Sequence, residues 1–272
     1  MNCWRNEPAA ESPSLLLLSP GASLVGQAPA GVCHAACRHM KPPVVIAIDG
    51  TSASGKSTNA KLVAKALGYV YVDTGAMYRT LAWYCLEHKI SIDSPRAVAA
   101  ACRRWKTRLD CVDNQVRLLV EDYYPAQEIR TTAVSTAVPQ VAAVPKVRAW
   151  MKEQQRQCVQ FGNLVMEGRD IGTNIFPETD FKYFLDAQLE ERARRRAAEG
   201  VQENLAARDL RDSQRAAAPL MIALGAKVIN NSQMTSDQTS RLLIEDIQKR
   251  LASATDGTTP PPSPHPMGRG PG

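Results

Sequence analysis

The residues Gly50-Thr51-Ser52-Ala53-Ser54-Gly55-Lys56-Ser57 fill every fixed position of the phosphate-loop pattern G-x-x-x-x-G-K-[ST]. In such a loop the glycines let backbone N–H groups curl round a phosphate chain at a helix N-terminus. Lys56 then brings a compact positive charge to the outer phosphates, the Ser57 hydroxyl is placed for Mg²⁺, and Thr58 adds the next helical N–H. Farther along, Glu167-Gly168-Arg169-Asp170 sets two carboxylates and a guanidinium within four residues. Glu167 can hold a Mg²⁺-bound water, although a helix-capping or merely solvated carboxylate reads equally well from sequence.

Two arginine groups complete the set. Arg192, Arg195 and Arg196 recur at i, i+3, i+4, and Arg208, Arg211 and Arg215 at i, i+3, i+7, so each group shares one face of a helix, with Asp212 on the second face. On an arbitrary helix such a face is a solvated charged surface. Here the two arginine helices flank residues 197–207, a short polar stretch containing Gly200 that reads as a lid, and planar guanidinium groups suit the oxygens of a transferring phosphoryl group.

The flanking pattern supplies the elements that must position these groups. Val44 to Ile48 is an apolar run that reads as a buried parallel strand, and Thr58 to Leu67, closed by Gly68, reads as a helix, so the loop sits between strand and helix as its chemistry requires. Tyr69 to Val72 reads as a second strand and Ala76 to His88 as a helix that carries Arg79 in its first turn, where a cation is useful to an incoming anion. Val116 to Val120 reads as part of a small hairpin and Lys146 to Cys158 as a helix after Pro145, both inside an inserted substrate subdomain spanning about 79–160. Asn163–Met166, Phe181–Asp186 and Lys227–Asn230 read as further strands and Ser236–Leu251 as the closing helix. Strands alternating with helices in this way specify an α/β fold with a doubly wound parallel sheet, and open parallel sheets bind ligands at the carboxyl ends of their strands, where Glu167 to Asp170 falls.

Composition narrows the classes. The chain has 272 residues, of which 44% are hydrophobic and 22% charged, enough to bury a full core. No apolar run approaches the length of a membrane span. The net charge of +6 comes from 33 basic residues scattered among 27 acidic ones, with no basic block or tail, so a small polyanion fits the arginines better than nucleic acid does. Seven cysteines without a C-x-x-C pair argue for reduced thiols and a cytoplasmic setting. Residues 1–39 are rich in Ala, Pro, Gly and Ser without a core period and read as a disordered extension or an upstream start chosen in error, with Met40 four residues before the first strand. The Cys33 to His39 cluster within them has no second half and does not make a metal site. The Pro/Gly-rich 254–272 reads as a disordered tail, leaving 40–253 as the working domain.

Five stretches, taken together and in order, are recognisable: Ile46 to Gly50 leading into the phosphate loop, Asp73-Thr74-Gly75-Ala76-Met77-Tyr78-Arg79, Glu128-Ile129-Arg130-Thr131, Gly168-Arg169-Asp170-Ile171-Gly172-Thr173, and Arg208-Asp209-Leu210-Arg211-Asp212-Ser213-Gln214-Arg215. From about 44 to 252 the chain resembles the bacterial cytidylate kinases. That resemblance implies the P-loop nucleoside monophosphate kinase fold, with a monophosphate-binding insertion and a lid. It also implies transfer of a phosphoryl group from ATP to CMP or dCMP with Mg²⁺, on small-molecule substrates, by a protein expected to act as a monomer without nucleic acid or membrane. By position it puts Arg79, Arg169 and Arg215 round the CMP phosphate with Thr74 in support, Arg208 and Asp212 at the ribose, Arg148 and Asp170 at the cytosine, and Lys56, Arg195 and Arg196 at the ATP phosphates. A carboxylate at Asp170 can accept from the cytosine 4-amino group and would face the uracil carbonyl with repulsion.

Two departures stand out. Where the family usually has a serine nine residues before the base-reading arginine, this chain has Pro139, and the segment between Arg196 and Arg208 is shorter than in many relatives. Base selectivity is thereby less determined than the reaction. The other readings open at this stage are a kinase of the same fold acting on UMP or shikimate, and a nucleotide-binding regulatory or nucleic-acid-binding module.

Overall fold

The computed structural model describes residues 42–198, Gly200 and residues 204–255. The expected extension 1–39, its Cys33 to His39 cluster, the tail from residue 256 and part of the expected lid (199 and 201–203) lie outside the described residues.

The centre of the molecule is β1 (Val45–Gly50), a run of six residues that are all buried, as expected of a strand covered on both faces. It pairs in parallel with β5 (Leu164–Glu167) on one side and β6 (Phe181–Asp186) on the other. β5 continues to β2 (Val70–Asp73) and β6 to β7 (Lys227–Asn230), also in parallel. With the antiparallel pair β3 (Thr107–Val112) and β4 (Gln115–Val120), the sheet has seven strands in the order β3-β4-β2-β5-β1-β6-β7. The strand order runs to opposite sides of β1, so a crevice opens at its carboxyl end.

On one face, α1 (Lys56–Leu67) and the long α8 (Ser236–Thr255) bury Val63, Ala64, Leu243 and Ile247 against Ile46, Ile48, Val165 and Leu185. α8 continues past the expected boundary at Ser253. The other face packs Val45, Ala47, Leu164 and Met166 against Ile171 and Ile175 of a π-helical turn that follows β5. A second core lies among α2 (Thr74–Glu87), α3 (Pro95–Arg104), α4 (Thr132–Ala143) and α5 (Pro145–Gln157), where Leu81, Val98, Val141, Val147 and Met151 meet.

Three features differ from the sequence reading. The hairpin β3–β4 does not stand apart with the insertion: Tyr71 pairs with Gln115, and the Tyr71 N–H donates to Asn114 O at 2.8 Å, so the hairpin extends the sheet edge. An exposed strand edge is a row of unpaired backbone groups, and the hairpin satisfies it. Helices α3 and α4 were absent from the reading. Ser94-Pro95 opens α3 with a side-chain cap and Pro at the first helical position, a legible signal, while Pro139 inside α4 conceals that helix. Finally, α6 (Leu189–Ala198) and α7 (Leu205–Ser213) exist as expected, but α7 ends before Arg215, whose Nε donates to the Asp212 carbonyl at 3.2 Å. Arg215 therefore reaches the site from the helix end and not from a shared face.

Candidate active site

A single cleft of about 1150 Å³ opens at the carboxyl end of the central strands, and nearly every candidate residue lines it. At one end is the phosphate loop. Gly55, in the left-handed region with φ 84°, precedes α1 and no side chain caps that helix, so its first N–H groups point free into the cleft. Ser52, Ala53, Gly55, Lys56, Ser57 and Thr58 line it. Gly50, Thr51 and Ser54 do not, and they build the loop instead. A Cβ on Gly50 would stand 2.0 Å from the Leu185 carbonyl oxygen of β6, and the Thr51 hydroxyl donates to Asp186 at 2.8 Å. The Ser54 carbonyl accepts from Asn231 at 2.9 Å.

Lys56 is buried under this loop and donates to the Thr51 carbonyl. Burial and the guanidinium of Arg169 hold its pKa well below the usual lysine range. Glu167, at the end of β5, accepts from the Ser57 hydroxyl at 2.8 Å and from the Tyr71 hydroxyl. Burial and the nearby Asp73 push its carboxyl up. Ser57 and Glu167 together offer hard oxygen donors beside the loop, the set that suits Mg²⁺.

At the other end the charges interlock. Asp212 of α7 accepts from Arg169 at 3.0 Å and lies 3.3 Å from Arg215. Burial pushes its carboxyl up, but Arg169 and Arg215 outweigh burial and hold it below the usual range. Arg79 of α2 lies 3.9 Å from Asp73, the N-cap of its own helix, which also accepts from Arg130 at 3.2 Å. The Thr74 hydroxyl donates to the Glu167 carbonyl at 2.7 Å, tying the start of α2 to the end of β5. Deeper in, Arg148 and Asp170 pair with each other at 2.7 Å, both almost wholly buried, and Asn174 donates to the same Asp170 oxygen at 3.0 Å. Tyr78 lies under the Arg148 guanidinium, 5.6 Å from ring centre to Cζ. Arg148 and Asp170 line the cleft together with Val138, Pro139 and Ala142 of α4.

Arg195 of α6 stands beside the loop, where a Cβ on Gly55 would lie 3.8 Å from its Nη1. Arg195 donates to Glu191 at 2.8 Å, to the Asn231 side chain at 3.1 Å and to the Asn231 carbonyl at 2.8 Å, while Asn231 itself reaches the phosphate loop. Arg196 and Arg208 also line the cleft. Arg192, grouped with Arg195 and Arg196 by spacing, is turned away from it: buried, it donates to the carbonyls of Ala187 and Ser52 and to Asp209.

Sequence reasoning missed several residues that organise the site. Asp49 is buried just before the loop and accepts from the N–H groups of Ile171 and Gly172 at 2.9 and 2.8 Å. Burial pushes its pKa up to about 6. It sets the turn that carries Arg169 and Asp170. Asp209 and Asn231 contact the loop only through the fold, and no periodicity marks them. Among the described residues no cluster of three or more His, Cys, Asp or Glu could hold a metal ion.

With this geometry in view, comparison with known proteins is informative. The sequence profile of the cytidylate kinase family matches residues 46–249. A cytidylate kinase from Geobacillus sp. (strain WCH70) is 36% identical over 223 residues, covering 78% of this chain and 100% of the relative. One from Caldanaerobacter subterraneus subsp. tengcongensis is 40% identical over 217 residues, covering 76% of this chain and 95% of the relative. A bifunctional pantoate ligase/cytidylate kinase from Trichormus variabilis is 37% identical over 223 residues, and there the chain spans 42% of the relative's length.

Proposed function

The chain belongs to the cytidylate kinase family, an ATP-dependent phosphotransferase acting on CMP or dCMP, and from that premise we propose how its own residues divide the work. One observation carries the division: a single cleft holds an uncapped helix N-terminus with Lys56 and, within electrostatic reach of that lysine, Arg169 with the Asp212 and Arg215 it interlocks with, Arg79 lining the same cleft. Two anionic ligands can lie there end to end, as an in-line transfer between them demands.

Phosphoryl transfer asks the protein for alignment and charge, with little covalent chemistry. The loop N–H groups from Ala53 to Thr58 bind the triphosphate of ATP. Lys56 gives up its contact with the Thr51 carbonyl for the outer phosphates, whose charge favours its protonated form. Arg195 and Arg196 bring donors to the phosphoryl oxygens as charge moves toward the leaving group. Arg79, Arg169 and Arg215 bind the CMP phosphate as the nucleophile, with Thr74 holding α2 against β5, and Arg208 and Asp212 meet the ribose. Ser57, with Glu167 through a water, would hold Mg²⁺, which supplies added positive charge at the triphosphate when bound. The acceptor phosphate is already ionised at neutral pH, so no general base is needed. For the base, Arg148 donates to the O2 and N3 acceptors of cytosine and Asp170 accepts from its 4-amino group through the oxygen that Arg148 does not occupy.

We further propose that the chain acts alone on small nucleotides in the cytoplasm. One cleft supplies a residue for each part of both nucleotides, and the described cysteines are unpaired. No described helix is long and apolar enough to cross a membrane.

The test is an ADP-release assay with CMP, dCMP, UMP, AMP and shikimate, run on the wild type and on Lys56→Ala. CMP and dCMP are expected to be the preferred acceptors, and Lys56→Ala to lose about 10²- to 10³-fold in kcat with an unchanged circular dichroism spectrum. Retention of more than half the wild-type kcat would remove the loop from catalysis.

A further inference from the structure

We infer that Arg192 and Asp209 form a positioning pair through which ATP in the phosphate loop tightens CMP binding in the same cleft. The inference rests on the assignment above of the loop to ATP and of Arg79, Arg169 and Arg215 to the CMP phosphate.

The pair is unlike the other arginine contacts of the site because it grips a single residue of the phosphate loop on both edges. The Ser52 N–H donates to Asp209 Oδ1 at 3.0 Å, and the Ser52 carbonyl accepts from Arg192 Nη1 at 3.1 Å. Arg192 Nη1 also meets Asp209 Oδ2, closing a ring of three contacts among α6, α7 and the loop. Arg192 is further fixed by its Nε, which donates to the Ala187 carbonyl at 2.9 Å. Ser52, Arg192 and Asp209 all have little exposed side chain, so these charge-assisted bonds are shielded from water.

Asp209 is three residues from Asp212 on α7 and adjacent to Arg208. Asp212 in turn holds Arg169 at 3.0 Å and Arg215 at 3.3 Å. The Ser52 peptide and both arginines assigned to the acceptor phosphate are therefore tied to one helix, α7, at positions three residues apart. The triphosphate, bound through the loop N–H groups, favours the loop conformation in which Asp209 and Arg192 already grip Ser52, and with it the position of α7. Since the Ser52 N–H is already committed to a carboxylate, the triphosphate is left the N–H groups from Ala53 onward. The pair costs the donor nothing it needs and gives the acceptor side a fixed helix. Coupling of this kind between two ligands is a free energy that each exerts on the other, typically fivefold or more in affinity.

The experiment measures the dissociation constant of CMP by calorimetry, alone and with a saturating non-hydrolysable ATP analogue, for wild type, Asp209→Asn, Asp209→Glu and Arg192→Lys. The analogue is expected to tighten CMP by about fivefold or more in the wild type. In Asp209→Asn the ratio should fall to within about twofold of one while CMP alone binds within about threefold of wild type, and Asp209→Glu should restore part of the ratio. A merely structural role would lower Tm and leave the ratio in place. A ratio unchanged in Asp209→Asn, or absent in the wild type, overturns the inference. So does tighter analogue binding by Asp209→Asn, which would make Asp209 a competitor of the phosphates. If Asp209→Asn does not fold, Arg192→Lys reads the same ratio, because lysine cannot span the Ser52 carbonyl, Ala187 carbonyl and Asp209 at once. Arg169→Met run in parallel separates the two layers: retention of full CMP affinity by that variant removes the acceptor-site assignment and the coupling with it, whereas its loss beside an unchanged ratio in Asp209→Asn removes the coupling alone.

Discussion

Arg169 and Asp170, adjacent in sequence, meet different partners. Arg169 lies against Asp212 at the partly open end of the cleft, and Asp170 is buried against Arg148. On the proposed assignment, replacing Arg169 by Met removes a charge-assisted contact to the acceptor phosphate, worth about 1.5–3 kcal/mol. The KM for CMP should therefore rise by about 10- to 100-fold, with the KM for ATP within about threefold of wild type, in steady-state kinetics with each substrate varied. Equal weakening of both would place Arg169 between the two ligands. At Asp170 the Arg148 pair decides which substitution is informative. Asp170→Ala leaves a buried guanidinium without its partner and should destabilise the fold by about 3–5 kcal/mol in urea denaturation. Asp170→Asn keeps an acceptor for Arg148 and can turn a donor toward uracil. It should narrow the CMP-to-UMP ratio of kcat/KM with a smaller loss of stability, and an unaltered ratio would end this account of base recognition.

Among the elements, α4 carries the least expected feature. Pro139 lies inside it, has no N–H to give the Ser135 carbonyl, and lines the cleft together with Arg148 and Asp170. A proline in a helix interior is disfavoured against alanine by up to about 3 kcal/mol, though part is recovered from the restricted unfolded chain. Pro139→Ala should therefore raise stability by about 1 kcal/mol in chemical denaturation. Pro139→Ser adds a hydroxyl on the cleft wall that also carries Arg148 and Asp170, and a neutral hydrogen bond contributes only about 0.5–1.5 kcal/mol. Its effect on the preference for CMP over UMP should stay within about tenfold, measured as the ratio of kcat/KM values. A larger change would mean that Pro139 sets the geometry of the whole base end. Helices α6 and α7 make a related point: their arginines share faces by count, yet Arg192 turns inward to the loop while Arg195 is held over it by Asn231.

At the scale of the molecule, three of the four described thiols, Cys85, Cys102 and Cys158, sit in the cores and report their integrity. Burial pushes Cys85 up to about 11, and Cys102 and Cys158 up to about 12. An unfolded chain releases these protons near pH 9, so between pH 9 and about 12 the native state holds more protons than the unfolded one, and stability must fall as pH rises through that window. Below pH 9 the contribution is complete. Denaturation at pH 8 and pH 10 should show this loss. A thiol reagent at pH 8 should label the partly exposed Cys111 first among the described cysteines and reach Cys85, Cys102 and Cys158 only on unfolding. Rapid labelling of Cys158 in the native state would contradict its burial beneath β1 and β5.

The amino-acid sequence by itself determined the chemistry and its frame. The phosphate loop, the strands from Val45 to Gly50 and Phe181 to Asp186, the Gly68 stop of α1 and the Glu167–Asp170 placement at a strand end are local patterns, each dictated by backbone sterics or by burial on two faces. The family motifs are likewise contiguous, and so were legible. What only the tertiary structure decided are pairings between residues far apart in the chain: Arg148 with Asp170, Asp212 with Arg169, Asp49 with the N–H groups of Ile171 and Gly172, Asp209 with Ser52, and Asn231 with Ser54. A charged side chain carries the same signal whether it faces water, a phosphate or another buried charge. Which of these it meets depends on how the sheet brings strand ends together, and spacing along one helix is blind to that.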